Sequence, residues 1–387
     1  MTTETLTIKS GDINTFTFPG LPAFPANIPT APLHRLSLAK LKCDPTESDR
    51  LFSSCKDLGF FYLDLRNDDE GEVLMDEASQ LFELGPKLYD LRREELSKYD
   101  YKAQGSYMGY KGLGSAVVDE KGNLDRNEFY NVSSPNLYFS LRLTCHRQIP
   151  KDDFLGISKT PFAHPQILHD NAGLIRNYML HAHTLVRLIL THLNKHLHLS
   201  PNTLTSLHRQ SAVSGDQVRI VKSPSQPPSD LKTALGKHTD FGSITILFNQ
   251  LGGLQILPPP SLTDAGQHPE WTYVKPLPGH CIVNLGDAMV KFTNGLLRSN
   301  IHRVVSPPGE QAKETRYSLV YFSRPEDDVL LRRLEGSDVI PELEDVEEEA
   351  INSKEWVKLQ AMRLRKVDRD MSQEEKQRLW NESGRGS

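Results

Sequence analysis

Lys237-His-Thr-Asp-Phe-Gly-Ser-Ile-Thr-Ile-Leu-Phe248 begins polar and ends apolar. Ile244–Phe248 reads as a buried strand, and the residues before it as the loop that opens into it. On extended backbone, side chains at i and i+2 point the same way. His238 and Asp240 can therefore aim an imidazole nitrogen and a carboxylate oxygen at one point. A metal ion held there needs a third ligand. Ser299-Asn-Ile-His302-Arg-Val-Val305 offers one, 62 residues beyond Asp240 and in another predicted strand. Two histidines and a carboxylate form a facial triad that leaves three adjacent positions open on Fe(II). The residues alone also permit Zn(II) or Mn(II). An isolated His-x-Asp is most often a surface turn, so its surroundings carry the weight.

Those surroundings are β-rich. From Gln217 onward, Val218–Val221, Ile244–Phe248, Leu254–Leu257, Trp271–Val274, His280–Leu285, Ile301–Val305 and Tyr317–Phe322 are short runs, nearly all separated by Gly, Pro or Asn. Such spacing predicts a double-sheet β core. Gly252-Gly-Leu-Gln-Ile-Leu257 reads as the returning arm of a hairpin after Phe248. Arg316 and Ser318 share one face of the last strand, 14 and 16 residues after His302. A guanidinium holds a carboxylate through paired hydrogen bonds, and a hydroxyl adds another. That pair suits an acidic cosubstrate anchored beyond the metal.

The rest of the 387 residues reads mostly helical. Five prolines between residues 9 and 32 exclude a helix there and predict an extended surface arm. Ser48 to Asp57 reads as a helix, Gly59–Leu65 as a buried strand, and 70–98 and 164–200 as amphipathic helices. Glycines and aromatics over 103–130 predict loop and short strand. Trp356–Arg365 reads as a closing helix. The expected division is a mixed, largely helical region at 1–210, a β core at 211–330 and a helical tail at 331–387.

Composition narrows the function. Forty-five basic against 50 acidic residues give a net charge of −5, which offers no argument for nucleic acid or an anionic membrane. The longest apolar runs have four residues, far short of a membrane span. The N-terminus lacks the basic start and apolar core of a secretory signal. Cys43, Cys55, Cys145 and Cys281 are widely spaced and read as reduced thiols of a cytoplasmic protein.

Taken together, the chain resembles the Fe(II)/2-oxoglutarate-dependent dioxygenases, in their isopenicillin N synthase-like branch. The resemblance rests on Gly59-Phe-Phe61, His238-Thr-Asp240, Gly252–Leu257, Asn284-Leu-Gly-Asp287, His302 within His302-Arg-Val-Val-Ser-Pro307, and Arg316-Tyr-Ser318. Their order spans residues 55–325. It implies an α+β protein with a double-stranded β-helix (jelly roll) core flanked by N- and C-terminal helices. It further implies Fe(II) on His238, Asp240 and His302. 2-Oxoglutarate would chelate that iron with its far carboxylate on Arg316 and Ser318, and O₂ would be the oxidant. The implied reaction oxidises an unactivated C–H of a small molecule, by hydroxylation, desaturation or ring rearrangement, as in specialised-metabolite biosynthesis. By position on the family's core strands, Arg219, Phe322 and Arg324 would face the substrate; Tyr107 and Phe129 of the aromatic loop read either as packed structure or as a lid over it. Two arginines there favour an acidic substrate. Ser223-Pro224 stands where many relatives carry Tyr-Pro, so one cosubstrate contact differs. Two rival readings follow: an Fe(II) oxidase of the isopenicillin N synthase type that does not use 2-oxoglutarate, and a non-catalytic jelly-roll binding protein.

Three further features read as structural. His181, His183, His192, His196 and His198 read as the polar side of one helix, without the partners of a zinc site. Asp287 reads as a turn residue. The acidic run at 342–349 reads as a solvated helix face.

Overall fold

The computed structural model describes residues 18–133, 163–227, 229, 233–262, 268–342, 350–363, 372 and 374–375. Its strands are β1 (Arg35–Ser37), β2 (Phe60–Asp64), β3 (Gly109–Lys111), β4 (Glu128–Ser133), β5 (Gln217–Ser223), β6 (Leu235–His238), β7 (Ile244–Asn249), β8 (Leu254–Ile256), β9 (Thr272–Tyr273), β10 (His280–Leu285), β11 (His302–Val304) and β12 (Arg316–Ser323). They form an eight-stranded sheet, ordered β1-β2-β10-β7-β12-β5-β4-β3, and a four-stranded sheet, ordered β6-β11-β8-β9. The two sheets enclose a cavity, which is the expected jelly-roll core. Four strands of the larger sheet precede residue 210, so the segment before it helps to build the core sheet.

Alternation along the strands sets the two faces of the larger sheet. Val218, Ile220, Ile244, Ile246, Phe248, Leu319 and Tyr321 belong to the main hydrophobic core. Their neighbours Arg219, Val221, Thr245, Leu247, Arg316, Ser318, Val320 and Phe322 line the cavity. A period of two in the sequence thus becomes one apolar face and one functional face.

Two helices cover the apolar face. Asp69–Tyr89 begins at Asp68, whose carboxylate accepts from the Gly71 amide at 3.0 Å, and carries Asp69, Glu70 and Glu72 in its first turn. It buries Leu74, Ala78, Leu81 and Leu88. Ala172–His196 buries Ile175, Met179, Val186, Ile189 and Leu193. Each fully buried aliphatic side chain contributes about 1.5–3 kcal/mol. A third helix, Ser353–Arg363, lies on the other side. Trp356 Nε1 donates to the Phe241 carbonyl at 3.0 Å, and Val357 and Ala361 pack with Tyr107 and Met108. Ala361 thereby closes part of the cavity wall.

Several readings need correction. Gly252–Leu257 is not the returning arm of a β7 hairpin. β7 lies in the larger sheet, whereas β8 pairs with β11 and β9 in the smaller one. Gly253, at φ +107°, turns the chain across the gap between the sheets. The histidines of the long helix do not share a polar side. His183 is buried, with Nδ1 3.1 Å from the Tyr321 hydroxyl and Nε2 3.0 Å from the His208 carbonyl. His192 and His196 both reach the Ser48 hydroxyl, at 2.8 and 2.9 Å. His198 lies beyond the helix end at φ +50°. Helix 164–200 is two pieces, Gln166–Asp170 and Ala172–His196, and 70–98 ends its long helix at Tyr89. The proline-rich stretch contributes more than a surface arm. The Ala31 amide donates to the Tyr273 carbonyl at 2.8 Å, and Ala31 is buried. Cys145 and residues 343–349 of the acidic run lie outside the described residues.

Candidate metal centre and its cavity

His238 ends β6 and His302 begins β11, and these two residues are directly paired across the antiparallel strands. Their rings lie 4.2 Å apart, centroid to centroid. Asp240, two residues past β6, brings Oδ1 to 4.0 Å from His238 Nε2 and 3.9 Å from His302 Nε2. One ligand atom from each residue falls within 4.8 Å of the others. Among the described residues this is the one His/Cys/Asp/Glu cluster with metal-binding geometry.

The outer atoms are held so that the inner ones converge. His238 Nδ1 donates to the Gly236 carbonyl at 2.8 Å, and His302 Nδ1 to the Asn300 carbonyl at 3.1 Å. Both Nε2 lone pairs are thereby turned inward. Asp240 Oδ2 accepts from Thr245 Oγ1 at 2.6 Å and from Asn284 Nδ2 at 2.7 Å, which leaves Oδ1 for the centre. Burial opposes the charge of Asp240. His302, His238 and the two hydrogen bonds outweigh burial and hold the carboxyl below its ordinary range. Three neutral-or-anionic donors, each fixed by a partner behind it, fit a divalent ion.

Asn284 and Thr245 carry part of this arrangement and were not predicted. They are cross-strand partners of β10 and β7, so their side chains stand together beneath Asp240. The polar Thr245 inside Ile244–Phe248 was the available signal. Phe60, quoted in Gly59-Phe-Phe61, meets the His302 ring edge-on at 5.4 Å. Asp287 is not a turn residue but the first residue of a short helix, Asp287–Phe292. Its carboxylate accepts from Thr239 Oγ1 at 3.1 Å, and burial raises its pKa.

The cavity has two lobes that share His238 and Asp240. One, of about 700 Å³, also contains His302, Ser223, Arg316 and Ser318. Arg316 is 2% exposed; its Nε donates to the Gly252 carbonyl at 2.8 Å and its Nη1 to the Ser318 hydroxyl. No carboxylate among the described residues forms an ion pair with it, and burial lowers its pKa to about 10. The Ser223 hydroxyl, its cross-strand neighbour, is buried without a hydrogen bond.

The second lobe, of about 770 Å³, is lined by Tyr107, Phe129, Arg219, Phe322 and Arg324, the five candidates for facing a substrate. Lys111 and Asp125 also reach it, as a buried ion pair. The Arg219 guanidinium lies over Phe129 at 4.0 Å and Phe322 at 4.8 Å, and its Nε donates to Asn131 Oδ1 at 2.8 Å.

Comparison with known proteins agrees with this geometry. The 2OG-Fe(II) oxygenase superfamily profile matches residues 177–325, and that of the non-haem dioxygenase in morphine synthesis N-terminal region matches 28–151. A 2-oxoglutarate-dependent dioxygenase of Aspergillus fumigatus is 32% identical, over 83% of this chain and 82% of its own. Another from Glarea lozoyensis, gloE, is 29% identical, over 79% and 83%. Among solved structures, full-length Neurospora crassa T7H in complex with alpha-KG superposes with a TM-score of 0.65 at 20% identity, covering 85% of this chain and 95% of that one. That last likeness shows the shared fold. Because the Aspergillus fumigatus relative matches 83% of this chain at 32% identity, and the superfamily profile spans His238, Asp240 and His302, the chain belongs to the 2OG-Fe(II) oxygenase superfamily as a 2-oxoglutarate-dependent dioxygenase.

Proposed function

We propose that the protein oxidises a C–H bond of a small organic molecule in specialised metabolism, with 2-oxoglutarate anchored by Arg316 and Ser318. The observation that carries the anchor is the buried Arg316 guanidinium, which has no carboxylate partner among the described residues. Stripping such a charge of water is costly unless an anion meets it. The distal carboxylate of 2-oxoglutarate supplies that anion, and Ser318 Oγ completes the contact. His238, Asp240 and His302 would hold Fe(II), which when bound would supply the activation of O₂ coupled to decarboxylation of 2-oxoglutarate. Phe60, Leu247, Leu254, Val304 and Val320 make the wall between anchor and metal apolar and exclude water from it.

The substrate takes the second lobe. Its size supports a small molecule, as does the solution of Neurospora crassa T7H with thymine and with 5-formyluracil. The N-terminal match to a dioxygenase region of morphine synthesis supports specialised metabolism. We place the protein in the cytoplasm: Cys55 and Cys281 are buried free thiols, and exposed Cys43 is free as well. Among the described residues no helix is long and apolar enough to cross a membrane.

The test is anaerobic titration of purified protein with Fe(II) and 2-oxoglutarate, followed by succinate formation on admitting air. One equivalent of each is expected to bind. His238→Ala, Asp240→Ala and His302→Ala are each expected to lose iron and turnover. Substrate oxidation with no requirement for 2-oxoglutarate would overturn the cosubstrate assignment.

A further inference from the structure

The two lobes end alike. On β12 and just past it, Arg316, Ser318, Val320, Phe322 and Arg324 fall on one face. About 26 Å of extended chain separates the two arginines. The lobes meet at His238 and Asp240, and each finishes on a buried guanidinium.

Arg324 is 3% exposed and, among the described residues, has no carboxylate within ion-pair distance of its guanidinium. Asp216, the acid beside it, is occupied. Its Oδ2 accepts from the Tyr321 hydroxyl at 2.7 Å and lies 3.4 Å from His183, and its Oδ1 accepts from the Arg324 backbone amide at 2.7 Å. Of the Arg324 side-chain donors, Nη1 goes to the Gly215 carbonyl, while buried Nε has no acceptor. What remains to face the lobe is Nη2, a charged donor for a carboxylate oxygen, with Nε closed off behind it.

The side chain is also built into place. A Cβ at Gly215 would lie 3.0 Å from Arg324 Cδ, and one at Gly242 3.1 Å from Arg324 Cγ. Two glycines thus clear a channel for it. Around it the lobe is aromatic: the guanidinium carbon is 5.5 Å from the Phe322 ring centre and 5.6 Å from that of Tyr107. The one other acid in the lobe besides Asp240 is Asp125, which Lys111 neutralises.

We infer that the substrate is a carboxylic acid with an apolar, ring-sized body, its carboxylate held by Arg324 and its body against Phe322, Phe129 and Tyr107. The cavity would then hold two acids, the cosubstrate and the substrate, each gripped at its far end by an arginine borne on or just past β12. This rests on the function proposed above.

The test is equilibrium binding to the Fe(II)- and 2-oxoglutarate-loaded protein without oxygen. The probes are phenylacetic, 3-phenylpropanoic and 4-phenylbutanoic acids, each paired with its primary amide. At least one acid is expected to bind tenfold or more tightly than its amide. Arg324→Gln should erase that preference while leaving 2-oxoglutarate affinity within about twofold, which also shows that the variant folds. Should Arg324→Gln not fold, Arg324→Lys decides: it keeps the charge but loses the guanidinium's Nη2 donor, so acid affinity should fall several-fold. Acids that bind no better than amides to loaded wild-type protein, a preference that survives Arg324→Gln, or unchanged affinity in Arg324→Lys overturns the inference. Failure of the wild type to take up Fe(II) or 2-oxoglutarate overturns the proposed function instead, and this inference falls with it.

Discussion

The two oxygens of Asp240 face different tasks, and the division is made by neighbours rather than by the ligand itself. Thr245 and Asn284 hold Oδ2, so Oδ1 alone turns to the histidines. Removing one of them should loosen the ligand without removing it. Asn284→Ala is expected to weaken Fe(II) binding by about 10–100-fold, the usual cost of losing a partner behind a metal ligand, as read by anaerobic titration. Arg316 is the matching case at the cosubstrate end. Arg316→Met should raise the KM for 2-oxoglutarate by one to two orders of magnitude or more, because a charged hydrogen bond contributes about 1.5–3 kcal/mol and the carboxylate is left unpaired. Ser318→Ala should raise it about tenfold at most, a neutral donor contributing about 1 kcal/mol. Both are measured by succinate formation at varied 2-oxoglutarate. His238 with Asp240 and Arg316 with Ser318 were legible because their geometry is local, i and i+2 on an extended segment, twice over; His302, from another strand, came with the order of the surrounding motifs. Asn284 and Thr245 were not, because their partnership depends on the register of β10 against β7, and no short pattern encodes register.

At the scale of elements, the passage from β7 to β8 shows where alternation stops being informative. Two short apolar runs separated by Asn249-Gln-Leu-Gly-Gly253 read as a hairpin, yet the chain crosses to the other sheet instead. The deciding features are tertiary. A Cβ on Gly253 would stand 2.6 Å from the Val305 carbonyl oxygen, so the residue just past β11 packs against this backbone too closely for a side chain. The crossing also leaves the Gly252 carbonyl pointing at Arg316 Nε. Gly253→Ala combines that clash with a left-handed φ and should cost about 1–3 kcal/mol of stability. Because the displaced carbonyl orients Arg316, the KM for 2-oxoglutarate should rise several-fold while Fe(II) affinity changes little. Thermal melting and the two titrations check this, and equal losses of iron and cosubstrate would mean general unfolding rather than a moved anchor.

Across the whole molecule, a buried polar chain ties the helical layer to the cavity wall. His183 on the long helix meets Tyr321 on β12 and the His208 carbonyl; the His208 ring in turn spans from the Leu204 carbonyl to Ser243, beside the metal loop. With Nδ1–H donating to Leu204 at 2.7 Å and Nε2 accepting from Ser243 at 2.7 Å, His208 is fully satisfied when neutral. Burial lowers its pKa from 6.5 to about 4 in the folded protein, against smaller opposing effects of the Leu204 carbonyl and Asp216. The unfolded chain binds this proton at a higher pH than the folded one does. Stability from His208 is therefore complete above pH 6.5, falls as pH drops from there towards 4, and is then fully lost. The contribution is on the order of 3 kcal/mol at most. His208→Asn keeps a donor for Leu204 and removes the titration. Wild-type Tm is expected to fall between pH 7 and pH 5, and the variant, less stable at pH 7, should show a shallower fall over that interval. Parallel curves would place the acid sensitivity elsewhere, in groups other than the histidine that joins the two layers.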